Sequence, residues 1–396
     1  MSNRHYDVVV VGGGINGVGV AQAAAAAGHS VLLLEKEALG AGTSSKSSKL
    51  IHGGLRYLET YEFSQVRESL RERALLLRLA PELVKLKPFY IPVFRNTRRR
   101  PWLVRTGLSL YALLASLDQA ARFEKIDRAE WGQLDGLILD GLDAVYCYQD
   151  GQTDDLLLTR AIMRSAETLG AELAAPATFH SATLDPQGSE VNYRQGDKEI
   201  ICRAGVLVNA AGPWVNLVLD RVRPVQESRS IELVQGTHIL LPGQVQKGIY
   251  YVEAPRDGRA VFLMPRGGHT LVGTTETRYH ADPDDVHPLH AEENYLCRIT
   301  NHYFPRYEAD RNKLLESWAG LRVLPAGKGH AFHRSRETIL DVDGERGNPK
   351  PRLLSIYGGK LTSYRATAEK VIARIRASLP QREAVAKTDE LPLAPG

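Results

Sequence analysis

Four apolar residues without a polar break, Val8 to Val11, run into Gly12-Gly13-Gly14-Ile15-Asn16-Gly17, and an alanine-rich stretch from Val18 to Ala27 leads on to a second apolar run, Val31 to Leu34. Unbroken β-branched or leucine runs predict buried strands, and the stretch between them predicts a helix stopped by Gly28. Residues 60–87 read as one helix, with Leu70, Ala74 and Leu77 opposite an Arg/Glu-rich face. Residues 154–169 repeat the helical period, with Asp154 at the start, Leu157, Leu158, Ala161 and Ile162 inward, and Gly170 as the stop. Strands are expected through Leu173, Val191 and Ile200-Ile201, and the run 206–212 ends in small residues. From 225 to 320 the texture changes. Short runs at 239–241, 249–252, 260–264 and 270–273, separated by turns such as Asp257-Gly258, predict an antiparallel sheet. Residues 353–360 read as strand and double glycine, 362–378 as helix, and 381–396 as a loose tail.

This order predicts an α/β chain with a discontinuous Rossmann-like domain over 1–87, 151–224 and 321–380. A second α+β domain for substrate, built on the antiparallel sheet, takes 88–150 and 225–320. The composition fits a sizeable core: of 396 residues, 43% are hydrophobic and 24% charged, which excludes a disordered chain or a fibrous rod. Cys147, Cys202 and Cys297 are too few for a disulfide framework and have no zinc spacing, so a reduced, cytoplasmic setting is expected. A net charge of +4 is too weak to imply nucleic acid by itself, but suits an anionic substrate or an anionic membrane surface. The N-terminal residues lead into a strand rather than a secretory signal. No apolar stretch is long enough to cross a membrane, since the run from Trp102 to Leu117 is broken by Arg105.

The first unit has a chemical job. Gly12, Gly14 and Gly17 satisfy G-x-G-x-x-G between a strand and a helix. The first glycine permits the turn, the second lets backbone approach a pyrophosphate, and the third lets the helix pack. Glu35 ends the second strand and can accept both hydroxyls of a ribose, which disfavours a 2′-phosphate and hence NADP. The hydroxyl-rich run Gly40 to Leu50 continues into Ile51-His52-Gly53-Gly54-Leu55-Arg56-Tyr57-Leu58. A linker would not re-enter ordered structure in this way. Such a loop can wrap a long cofactor, and FAD fits better than NAD.

The run from Thr43 to Glu59 resembles the signature of the FAD-dependent, membrane-associated glycerol-3-phosphate dehydrogenases. The resemblance extends through Asp154-Asp155, 208–214, 236–239, 272–275, Gly320-Leu321-Arg322 and 358–365. It departs where Glu276 stands for an Asp, where Val323-Leu324-Pro325 follows Arg322 in place of Pro directly, and where the family carries a further C-terminal helical region. The resemblance implies an FAD-binding domain of the D-amino-acid-oxidase and glutathione-reductase type. The activity it implies is oxidation of sn-glycerol 3-phosphate to dihydroxyacetone phosphate, with hydride passing from C2 to flavin N5 and electrons going on to quinone or another acceptor. It also implies peripheral attachment to the inner face of the cell membrane, and leaves a homodimer open. The basic stretch 94–105 and the apolar helix after it read equally as an in-plane anchor or as a buried helix with a solvated face; the resemblance favours the anchor.

Within that frame the FAD-binding residues are Gly12, Gly14, Asn16, Gly17, Glu35, Lys36, Thr43, Ser44, Ser45, Ser47, Ser48, Lys49, Leu50, His52, Gly53, Ala210, Gly212, Trp214, Gly358, Gly359, Lys360, Leu361 and Thr362. His238, Arg322 and Lys360 are expected to be catalytic, and Arg56, Tyr57 and Thr362 join them in binding the substrate. Arginine forks suit the phosphate, and His238 suits the proton of the C2 hydroxyl. His287/His290 and His330/His333 have i, i+3 spacing but no partner carboxylate motif, and read as non-metal. The rivals are an amino-acid or amine oxidase on the same fold, and a non-catalytic RNA-binding flavoprotein using the cluster Arg98 to Arg105.

Overall fold

The computed structural model describes residues 4–116, 121–326, 338–344 and 348–395. Among them, two sheets of nine and ten strands organise the chain. Seven helices are used below: α1 (Ile15–Ala26), α2 (Phe63–Leu79), α3 (Pro101–Leu114), α4 (Asp155–Thr168), α5 (Val215–Leu219), α6 (His290–Tyr303) and α7 (Tyr364–Ile375).

The first sheet is built on Arg4–Val11. Val31–Leu34 and Lys198–Asn209 flank it in parallel, with Val9 opposite both Leu32 and Leu207. Leu353–Tyr357 continues the parallel set beyond 198–209, and Glu172–Ala174 lies beyond Val31–Leu34. Val8, Val10 and Leu33 face α1, α4 and α7 through Ala21, Ile162 and Val371. Val9, Val11, Leu32 and Leu34 face the opposite way, onto Phe179, Tyr193 and Val215. Each fully buried Val or Leu here contributes about 1.5–3 kcal/mol of transfer free energy. Both sheet faces are buried, which is why these strands read as unbroken apolar runs.

The second sheet is largely antiparallel. Val84–Phe94 pairs along its length with Leu142–Thr153, from Val84 opposite Thr153 to Phe94 opposite Leu142. Ile231–Leu241 pairs with Glu316–Pro325 over its whole length, and His269–Gly273 and Thr277–Tyr279 share its other edge. One face packs on α6 through Leu296, Ile299 and Tyr303. The other packs on α2 and α3 through Val66, Leu70, Leu108 and Tyr111. Leu50–Ile51 pairs with Gln152 and Gly151, so the chain passes from the first sheet to the second within the hydroxyl-rich run.

Three sequence expectations are corrected. The helix expected over 60–87 ends at Leu79, and a strand begins at Val84. Pro81 drives Ala80 out of the helical region, to φ −129 and ψ 51. The separate runs at 200–201 and 206–212 form one strand, Lys198–Asn209, whose first half pairs with the hairpin strand Gly188–Gln195. The tail beyond 380 is docked. The amides of Val385 and Ala386 donate to the Ala26 carbonyl at 2.9 and 3.1 Å, and that of Leu393 to the Leu79 carbonyl at 2.7 Å. Leu393 is buried in the first core, and Thr388 joins the buried Arg365–Glu72 ion pair through Arg365 Nη1.

Candidate functional site

A cavity of about 1030 Å³ runs between the two sheets. At one end lies the glycine loop. Gly12 has φ +108, and a Cβ there would stand 2.7 Å from the Ala210 carbonyl oxygen; only glycine fits. A Cβ on Gly17 would stand 1.8 Å from the Gly12 oxygen. The Ile15 amide at the start of α1 donates to Ser44 Oγ at 2.8 Å. Glu35 is held by two backbone donors, with Gly13 N–H at 2.7 Å on Oε2 and Glu37 N–H at 2.9 Å on Oε1. At the mouth, the Lys36 ammonium lies 4.2 Å over the Trp214 ring and pairs with Asp284, which accepts from Trp214 Nε1 at 3.0 Å.

The second glycine pair closes the far side. Asn16 Nδ2 donates to the Gly358 carbonyl at 3.0 Å, while its Oδ1 is buried without a protein partner. Gly359 has φ +125, and a Cβ there would lie 2.4 Å from Asn16 Nδ2. Thr362 Oγ1 accepts from the His52 amide at 3.1 Å, joining the two loops. A glycine cradle with an orphaned acceptor at a helix N-terminus, and a fixed carboxylate beyond it, fits a dinucleotide.

The other end of the cavity is cationic. Arg322 reaches in from Glu316–Pro325, its Nη1 donating to the Thr275 carbonyl at 3.2 Å and Nη2 to Thr274 Oγ1 at 3.0 Å. Arg56 sits in the short turn Leu55–Leu58, and Arg259 precedes the strand Ala260–Arg266. All three guanidiniums face Glu276, at 3.8, 4.0 and 3.5 Å respectively. Lys360 Nζ donates to Gln65 Oε1 at 2.6 Å and lies 4.1 Å over the Tyr57 ring.

His238 lies opposite Trp318 in the strand register, and their rings are nearly parallel at 5.8 Å. Its Nε2 is 3.0 Å from Ser48 Oγ, with the donor set by the tautomer, and its Nδ1 is buried without a partner. Burial, followed by the charges of Arg322, Lys49 and Arg266, lowers its pKa to about 3. The imidazole is therefore neutral across the neutral range.

Most of the residues expected for the site line this cavity, including Arg56, Tyr57, His238, Arg322, Lys360 and Thr362. Gly17, Ser45, Lys49 and Gly53 do not; they stand behind its wall. Gly17 serves helix packing, and Ser45 Oγ turns to local carbonyls. Lys49 is spent on the buried carboxylate of Asp155, which also accepts from Ser47 Oγ at 2.7 Å. Gly53 donates to Tyr111 Oη at 2.8 Å, and a Cβ there would strike that oxygen. Arg259, Tyr251 and Thr274 line the cavity without having been singled out. Arg259 carried one signal, its place after the Asp257-Gly258 turn; only strand pairing brings it to the site. His287 Nδ1 lies against the Asp285 carbonyl and His290 against Glu293, while His330 and His333 fall outside the described residues.

A dinucleotide cradle opening onto a cationic chamber beside a buried neutral histidine defines a flavin-dependent oxidoreductase. The chain belongs to the FAD dependent oxidoreductase family, whose description matches residues 7–365, and FAD is its cofactor. It is 37% identical over 373 residues to the glycerol-3-phosphate dehydrogenase of Pseudomonas tolaasii, covering 93% of this chain and 71% of that one. It is 38% identical over 381 residues to the D-erythritol 1-phosphate dehydrogenase of Brucella abortus, covering 95% and 74%. Among solved structures, the glycerol-3-phosphate dehydrogenase of Bacillus halodurans complexed with FAD superposes with a TM-score of 0.77 at 25% identity, covering 99% of this chain and 68% of that one. Glycine oxidase from Geobacillus kaustophilus shares the fold, with a TM-score of 0.70 at 18% identity over 98% of each chain.

Proposed function

We propose that this protein oxidises sn-glycerol 3-phosphate to dihydroxyacetone phosphate and delivers the electrons to quinone or another acceptor. The observation that carries the reading is the chamber of Arg56, Arg259, Arg322 and Lys360 beside His238. Phosphate monoesters need fixed cations, and planar guanidiniums bind them bidentately. The names of the relatives point to the same phosphorylated polyol class.

Bound FAD supplies the hydride acceptor. Gly12, Gly14, Asn16 and Ser44 would hold its pyrophosphate, Glu35 its ribose, and Gly358 to Thr362 its ring end. Arg56 and Arg322 clamp the phosphate, Tyr57 and Thr362 contact hydroxyls, and Lys360 polarises the reacting oxygen. His238 takes the C2 hydroxyl proton. Burial makes it a weak acceptor and the Arg322 charge adds to this; a phosphate dianion set against that arginine offsets the second cause and raises its basicity. Anaerobic addition of sn-glycerol 3-phosphate should bleach the flavin band near about 450 nm. A flavin that stays oxidised with this substrate, yet bleaches with dithionite, overturns the reading. Parallel addition of D-erythritol 1-phosphate decides between the two named substrates.

The attachment we propose is peripheral, on the inner face of the cell membrane. Among the described residues no helix is long and apolar enough to cross a membrane. Yet α3 turns Trp102, Leu103 and Leu113 to solvent, close after the exposed Arg95, Arg98 and Arg100. Aromatic and leucine side chains beside a basic cluster suit an anionic lipid surface. Flotation with vesicles containing phosphatidylglycerol should carry the protein, and W102E should release it. Equal flotation of both proteins would refute the anchor.

A further inference from the structure

Glu276 lies at the junction of three arginines that come from three separate segments of the chain. Its side chain is only 7% exposed, so solvent screens its charge poorly. A chamber of cations alone favours whichever ligand carries more negative charge. 3-Phosphoglycerate differs from glycerol 3-phosphate only in bearing a carboxylate where the latter has a neutral CH₂OH, and it carries the same C2 hydroxyl. Coulomb attraction to Arg56, Arg259, Arg322 and Lys360 would therefore select the hydroxy acid, whose extra charge makes it the tighter ligand.

We propose that Glu276 determines the charge class of the substrate, admitting phosphate esters whose other groups are neutral hydroxyls and rejecting those with a second anion. The inference rests on the phosphate-ester reading given above. Glu276 stands within 4.0 Å of guanidiniums that would grip the phosphate, so a three-carbon ester, only a few bonds long, would bring its other end within reach of that carboxylate. A hydroxyl there donates a hydrogen bond to it, whereas a carboxylate meets a like charge in a poorly hydrated pocket. Glu276 also removes one unit of positive charge from the cluster, which lowers the general attraction for anions.

The test uses the FAD-loaded protein and two readouts. One is flavin bleaching by sn-glycerol 3-phosphate; the other is perturbation of the oxidised flavin spectrum by 3-phosphoglycerate, which reports binding without turnover. Relative to the KM for glycerol 3-phosphate, the dissociation constant for 3-phosphoglycerate should fall about tenfold or more in E276Q. E276D keeps the charge and should keep the wild-type ratio. If E276Q weakens both ligands by the same factor, Glu276 merely holds the arginines in place and the proposal is wrong. An unchanged ratio overturns it equally. A wild-type protein that glycerol 3-phosphate does not bleach refutes instead the phosphate-ester reading, and the inference falls with it.

Discussion

The most exacting prediction concerns acid stability and the buried imidazole of His238. In the unfolded chain this group titrates near 6.5, and in the folded protein near 3. Burial is the largest cause; the facing charges of Arg322, Lys49 and Arg266 add to it, and Ser48 and Trp318 complete its surroundings. The folded value is depressed, so the stability associated with this group is fully present above pH 6.5 and is lost as the pH falls towards 3. Below 6.5 the unfolded chain takes up a proton that the folded chain refuses, at about 1.4 kcal/mol for each pH unit. Between pH 7 and about pH 4.5 the loss is about 3 kcal/mol from this residue alone. H238Q removes the titration. Urea unfolding followed by tryptophan fluorescence at the two pH values, with FAD saturating, gives the double difference between wild type and variant. Other titrating groups, including His29, whose pKa is also lowered by burial, are common to both proteins and cancel. Equal acid losses in the two proteins would show that His238 is readily protonated in the fold and would refute the argument.

Further expectations are local. G12A places a methyl 2.7 Å from the Ala210 carbonyl on a left-handed backbone, so it should purify folded but with FAD affinity reduced at least about tenfold, measured by flavin fluorescence. R322K replaces a planar fork with a point charge and should lower kcat/KM for glycerol 3-phosphate roughly 100-fold; a loss below about threefold would remove Arg322 from the phosphate clamp. L393A should cost about 2–3 kcal/mol in urea unfolding, because Leu393 fills the first core; a change near zero would mean that the docked tail adds nothing to it.

The sequence made the cofactor half of the site readable because its chemistry is local. Within about thirty residues, Gly12, Gly14, Gly17 and Glu35 follow one another in the order in which they act, and the two buried strands announce themselves as apolar runs. In the cationic half the resemblance supplies Arg56, Arg322, Lys360 and His238, but local pattern does not reveal how they and Arg259 and Glu276 meet. Arg259 and Glu276 meet only because Ala260–Arg266 and His269–Gly273 are neighbouring strands, and Arg322 joins them through the pairing of Glu316–Pro325 with Ile231–Leu241. That register is a property of the whole sheet. The place of Lys49 behind the cavity wall is hidden for a related reason: only the fold brings Asp155 beneath it. The tail offers only two leucines among prolines, with no periodicity, yet Leu393, Thr388 and the Val385 and Ala386 amides dock it. The end of α2, by contrast, is marked locally by Pro81.

The two amides that grip Glu35 have a consequence for how the cofactor is gained. Gly13 and Glu37 fix the carboxylate from within the fold, so its orientation is set by protein contacts and does not depend on the ligand. The entropy of ordering that side chain therefore falls on folding and not on association, which leaves more of the contact energy as affinity.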